Sequence, residues 1–377
     1  MLKKNMLIKG GKLLDIKSGY RYDRKDILIE NGIIKEIRND INSDGYQVLN
    51  LNGQIVLPGF IDIHTHVYFG KTSLGIDPDI IGIHTGTTTV FDAGSSGADN
   101  FDDFYKNIIS KSQTRVFSLI NIARTGLKND RYELADLNNL DIGALKDTVD
   151  RNRDYIKGIK ARASKSAVGE MGIKPIEIAK KAASLVDLPL VVHIGHYPPH
   201  VEDVLNLLDR GDVITHCFHG KSNGLMNADG SIKYEAINAK KRGVLFDIGH
   251  GTESFNFNTA KRAIGNGFYP DIISTDIYLE NYKGPVYSLA ITMTKIMESG
   301  IGLEECVSKV TSVPADNFKL DKLGMLKEGY IGDLTIIHLD PKPIELVDSD
   351  KNVIHANKQI IVDYVVKDGQ VTKLTAR

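Results

Sequence analysis

The chain has 377 residues and a mass of 41.6 kDa. Its 42% hydrophobic and 25% charged residues are the balance of an ordinary globular protein, not of a disordered or fibrous one. Forty-seven basic residues against 48 acidic ones leave a net charge of −1, which offers no bulk attraction to nucleic acid or an anionic membrane. Cys217 and Cys306 are the only cysteines, which excludes a disulfide scaffold and points to a reducing, cytoplasmic setting. No apolar run of about 18 residues predicts a membrane span, and the first residues lack the apolar stretch of a secretory signal.

From the start of the chain, 6–9, 13–15, 26–30, 33–37 and 46–50 read as short strands cut by turns. Asn31-Gly32 between two β-branched runs is a strong hairpin signal. The far end repeats the pattern, with runs at 333–339 and 360–366 and a turn at Asp368-Gly369. Two β-rich ends predict one small discontinuous β-sandwich domain, 1–56 plus 323–377. Between them, 57–322 alternates apolar strands with amphipathic helices such as 174–186 and 200–210. Candidate strands lie at 59–66, 87–94, 115–123, 156–164, 188–196, 212–219, 243–251 and 272–278, eight in all. Eight βα units over this length predict an α/β fold of the (β/α)8 TIM-barrel type. An open doubly wound sheet would want a glycine-rich phosphate turn after its first strand, where this chain has His64-Thr65-His66.

In a barrel, catalytic groups come from the C-terminal strand ends. His64 and His66 alternate onto one face of the first strand and can bind one metal ion, or form a hydrogen-bonded pair. The fifth and sixth strands end at His193 and His216, and the eighth at Asp276, a carboxylate that needs a partner if buried. Lys160 shares parity with Ile156 and Gly158 and can point into the barrel. A buried lysine loses its proton easily. The neutral amine can take up carbon dioxide as a metal-bridging carbamate, or the lysine can pair with an aspartate. Each signal is weak alone, but together they fall in order on strands one, four, five, six and eight.

The run Leu57-Pro58-Gly59-Phe60-Ile61-Asp62-Ile63-His64-Thr65-His66 resembles the opening of the amidohydrolase superfamily. Gly158-Ile159-Lys160-Ala161-Arg162, Thr215-His216-Cys217-Phe218-His219 and Ser274-Thr275-Asp276 resemble its binuclear branch with a carboxylated lysine. Asp247-Ile248-Gly249-His250-Gly251 and Gly284-Pro285-Val286-Tyr287 are similar to the dihydroorotase-like amidohydrolase/deacetylase group. The resemblance implies two divalent metal ions, zinc by default. His64, His66 and Asp276 would hold the first, His193 and His216 the second, with Lys160 as a bridging N6-carboxylysine. It implies a metal-dependent hydrolase that cleaves an amide or ester of a small acylated carboxylate through a bridging hydroxide, with Asp276 carrying the proton. The partner is a small-molecule substrate, with no nucleic acid and no membrane. Members are commonly homo-oligomers.

His250 ends the seventh strand and is a candidate for substrate contact, beside the alternative of a bond to a loop. Arg162 could grip a substrate carboxylate or brace the strand end. His219, Lys221 and Asn223 follow the sixth strand, in a loop expected to line the mouth. Gly284 and Pro285 could present backbone groups to substrate, and Asp62 could orient a metal ligand. A cyclic amidohydrolase (dihydroorotase or hydantoinase) is the alternative. Dihydroorotases usually carry an arginine two residues after H-x-H, where this chain has Tyr68. A non-catalytic dihydropyrimidinase-related scaffold would have lost ligand types that are all present here. Deaminase chemistry usually goes without the bridging lysine.

Overall fold

The computed structural model describes residues 5–128 and 131–374. Strands from both ends of the chain share one mixed sheet. Its spatial order is Gln370–Lys373, Gln359–Lys367, Leu334–Asp340, Ile55–Pro58, Met6–Asp15, Tyr20–Glu30 and Ile33–Arg38, with Gln47–Asn50 paired alongside Met6–Asp15. The pieces expected at 6–9 and 13–15 are one strand that continues through a bulge between Ile8 and Gly11. Asn31 and Gly32 both take positive φ (53° and 78°), as a tight hairpin turn that follows the strand twist requires. Asp368 and Gly369 do the same at the last hairpin. Met6, Ile8, Ile27, Ile29, Leu334 and Ile336 alternate onto one buried face.

The middle of the chain forms a parallel sheet of seven neighbouring strands: Phe60–Thr65, Thr87–Asp92, Arg115–Asn121, Ile156–Ala163, Leu190–Ile194, Val213–Thr215 and Leu245–Asp247. The eighth position, 272–277, is irregular, yet it bridges Asp247 at one end and Thr65 at the other and so closes the ring. Asp276 N donates to His64 O at 2.7 Å and His66 N to Ile277 O at 3.0 Å across that seam. Ile61, Ile63, Phe91, Leu119, Val191, Val213 and Ile272 fill the barrel interior, plugged from below by Ala315, Phe318 and Leu323. Helices such as Lys174–Val186 lay an apolar stripe (Ile176, Ala179, Ala183, Val186) on the outside. Among the described residues no helix is long and apolar enough to cross a membrane.

The sequence reading missed the hairpin of Ile344–Val347 with Val353–Ala356. Its turn reaches the barrel. Ser349 Oγ donates to the carbonyls of His250 (3.1 Å) and Gly251 (3.0 Å), and Asp348 accepts from Phe257 N at 2.9 Å. The loop after the seventh strand is therefore braced from outside.

Candidate metal centre

At the C-terminal end of the barrel the interior turns from apolar to polar. On the first strand Ile61 and Ile63 belong to the apolar filling, yet His64 and His66 also reach the interior. A shift in the pairing with the second strand between Asp62 and Thr65 accompanies this change of parity. Such an irregularity re-aims side chains at the rim of a barrel. His64 Nε2 and His66 Nε2 lie 3.4 and 3.2 Å from Asp276 Oδ1, and His216 Nε2 lies 3.9 Å from Asp276 Oδ2. His216 Nε2 and His193 Nδ1 face each other at 2.7 Å. Lys160 Nζ stands 3.0 Å from His64 Nε2.

Outer contacts set which nitrogens can act as ligands. Thr215 Oγ1 spends its hydrogen on Asp247 Oδ2 (2.7 Å), so it accepts from His64 Nδ1 at 2.9 Å. That leaves the His64 Nε2 lone pair directed inward. His216 Nδ1 donates to Gly249 O at 2.6 Å, with the same result. His66 Nδ1 meets Ser95 Oγ at 3.0 Å. Asp62 accepts from Thr275 Oγ1 (2.6 Å), Thr275 N (3.1 Å) and His64 N (3.2 Å), tying the eighth strand to the first. His216 and Asp276 both hold positive φ (71° and 49°), strain that the surrounding contacts must hold in place. A Cβ at Gly251 would sit 2.5 Å from Asp276 Oδ2, so only glycine leaves room for that carboxylate.

The electrostatics favour a cation. Burial, aided by Lys160, holds His64 well below the ordinary imidazole range. Burial does the same to His193 and takes His216 down to about 3. These rings are neutral, as metal ligands must be. Burial also brings Lys160 down to about 8 against the pull of Asp276 and Asp247, and lifts Asp62 and Asp247 to about 7. His64, His66 and Asp276 converge tightly enough to share one ion, and this donor set of inward lone pairs and a carboxylate fits a divalent cation.

A cavity of about 580 Å³ opens above these residues, lined among others by Arg131, Arg162, Ser164, His196, Lys221, Glu253 and Tyr278. A family model described as the amidohydrolase family matches residues 82–372. The chain belongs to the amidohydrolase family. A protein named Deacetylase from Enterococcus faecalis is 41% identical over 351 residues, 92% of this chain and 94% of that protein. Another of the same name, from Brucella anthropi, is 35% identical over 345 residues, covering 90% and 86%. A crystal structure of an adenine deaminase superposes with a TM-score of 0.93 at 38% identity, over 98% of this chain and 100% of that one. A dihydroorotase structure gives 0.92 at 31% identity, over 98% of each. These barrel enzymes share the fold expected from the strand count. This amidohydrolase is thus a hydrolase acting on carbon–nitrogen bonds, of a family that binds metal ions.

Arg162 lines the cavity, but its planar fork is taken by the buried Glu133 through two parallel hydrogen bonds. The structure does not bring His250, His219, Asn223, Gly284 or Pro285 to the cavity wall. His250 is fully buried, because its Nε2 accepts from Lys295 Nζ at 2.8 Å and its Nδ1 bonds Gly251 O at 2.8 Å. His219 is buried and accepts from Lys221 N at 3.0 Å. The Asn223 amide is spent on Gly195 O, Pro199 O and Val201 N. The Pro285 carbonyl accepts from Lys295 Nζ at 2.7 Å. Thr215, Asp247, Ser274 and Ser95 are the functional neighbours that sequence reasoning missed. Asp247, a carboxylate closing the seventh strand, was the available signal for that group.

Proposed function

We propose that this amidohydrolase is a cytoplasmic, zinc-dependent deacylase that removes an acyl group from the amide or ester of a small carboxylate. His64, His66 and Asp276 would hold one ion and His193 and His216 a second, with the carboxylated amine of Lys160 as the remaining ligand. When bound, the ions supply Lewis acidity and water activated at neutral pH. The chain's own residues do the rest. Asp276, whose carboxylate lies among three imidazoles, takes a proton from the attacking water and returns it to the leaving nitrogen or oxygen. Lys160, brought down to about 8, offers the fraction of neutral amine that carbon dioxide needs. The Thr215–Asp247 and Gly249 contacts keep the imidazoles in the ligating tautomer. The convergence of six donor side chains at one barrel mouth carries this reading, and the relatives named Deacetylase support the acyl substrate.

The dihydroorotase likeness favours a cyclic substrate as the second reading. Against it, Tyr68 is buried and gives its hydroxyl to Asp103 at 2.6 Å, so that position offers no cation to the cavity. The test is a panel of acetylated hydroxy acids, acetylated amino acids, dihydroorotate and hydantoins. Hydrolysis of the acetylated acids is expected, and turnover of only the cyclic compounds would overturn the proposal.

A further inference from the structure

Of the cationic side chains around the cavity, Lys160 belongs to its floor, Arg162 is engaged by Glu133, and Arg131 is an exposed rim residue. Lys221 is different. Its side chain is only 17% exposed, and its ammonium has one loose partner, Glu253 Oε2 at 3.6 Å, beyond hydrogen-bond reach. Glu253 comes from the loop after the seventh strand and is itself 75% exposed. Lys221 lines the cavity, and among the described residues no acceptor is recorded within hydrogen-bond distance of its ammonium. An anionic ligand entering the cavity would supply one.

The loop that carries Lys221 is fixed on every side. Lys221 N donates to the buried His219. A Cβ at Gly220 would meet Asp350 Oδ2 at 2.3 Å, so the loop lies directly against the hairpin turn. Asn223 pins the following residues to the loop after the fifth strand. Asn256 Nδ2 holds Asp350 at 2.7 Å behind it. Binding groups held on such a scaffold lose little entropy when they engage a ligand.

We infer that Lys221 anchors the substrate's carboxylate, with Glu253 as the counter-ion that the substrate displaces. The inference rests on the reading of the substrate as an acylated carboxylate and names the residue that selects for the acid. It assigns Arg162 to bracing the strand through Glu133.

The test compares binding of two probes that cannot be hydrolysed, hydrocinnamate and the neutral 3-phenylpropanol, to the metal-loaded enzyme by calorimetry. The wild-type chain should prefer the acid by about 10- to 100-fold, the worth of one charge-assisted hydrogen bond. Lys221→Met should abolish that preference. Glu253→Gln should tighten hydrocinnamate binding, because it removes the competing anion. A purely structural ion pair predicts the opposite for Glu253→Gln. Retained preference in Lys221→Met, or weaker acid binding in Glu253→Gln, overturns the inference, and the Glu253 arm decides alone if Lys221→Met fails to fold. An enzyme that cleaves acylated acids yet keeps its preference in Lys221→Met loses the anchor and keeps the proposed function. An enzyme that cleaves none, but loses the preference, keeps the anchor and loses the function.

Discussion

Lys160 and Lys295 are at most 1% exposed, and they solve the same problem in opposite ways. Lys295, on the helix Leu289–Glu298, has Nζ at 2.8 Å from His250 Nε2 and 2.7 Å from both Pro285 O and Val347 O. Burial pulls it toward about 7, yet three acceptors use all three ammonium hydrogens, and a neutral amine has only two. We therefore read Lys295 as charged and satisfied. Among the described residues Lys160 has only the His64 nitrogen within hydrogen-bond distance, with carboxylates farther off. Its charge is left unresolved by the protein, which is the state a lysine must be in to be modified or to serve a metal site. A buried lysine with a complete cage is architecture, and one with an incomplete cage is chemistry.

The contrast can be broken by experiment. Lys160→Ala should lose bound metal and lower turnover by more than about 10³-fold, with little loss of stability. Full metal content and activity in that variant, measured by elemental analysis and kinetics, would remove Lys160 from the site. Lys295→Met should do the reverse. It strands one imidazole and two carbonyls, costing on the order of 3 kcal/mol in denaturant unfolding while metal content is kept. The pH dependence sharpens this. If the folded pKa were about 7 against 10.5 unfolded, the unfolded state would bind the extra proton and stability would rise with pH through that window. The cage predicts instead that the stability difference between wild type and Lys295→Met stays flat there. A smaller effect is expected at Thr215→Val, which removes the acceptor that fixes His64 and a donor to Asp247. Metal affinity should fall by about 10- to 100-fold. An unchanged affinity would mean that the ring is held by other contacts.

The sequence was most legible where periodicity and chemistry agreed. His64 and His66 close the first barrel strand, His193 the fifth, His216 the sixth and Asp276 the eighth, and the helix 174–186 ends at the expected residues. Substrate contacts were less legible, because a strand-end position does not say whether a side chain turns inward. His250 has the right position and is claimed by a lysine 45 residues later. The cage of Lys295 leaves no local sequence signal, since it is assembled from three distant segments. The parity of the first strand was also hidden. Ile61, Ile63, His64 and His66 all reach the interior only through a pairing irregularity that alternation does not predict.

The central claim is that six side chains at one barrel mouth hold two cations joined by a modified Lys160. Anomalous diffraction from crystals grown with zinc tests it most directly. Two peaks are expected, one among His64, His66 and Asp276 and one at His193 and His216, with density for a carboxylated amine between them. A single peak beside an unmodified Lys160, or no peak, would contradict the account.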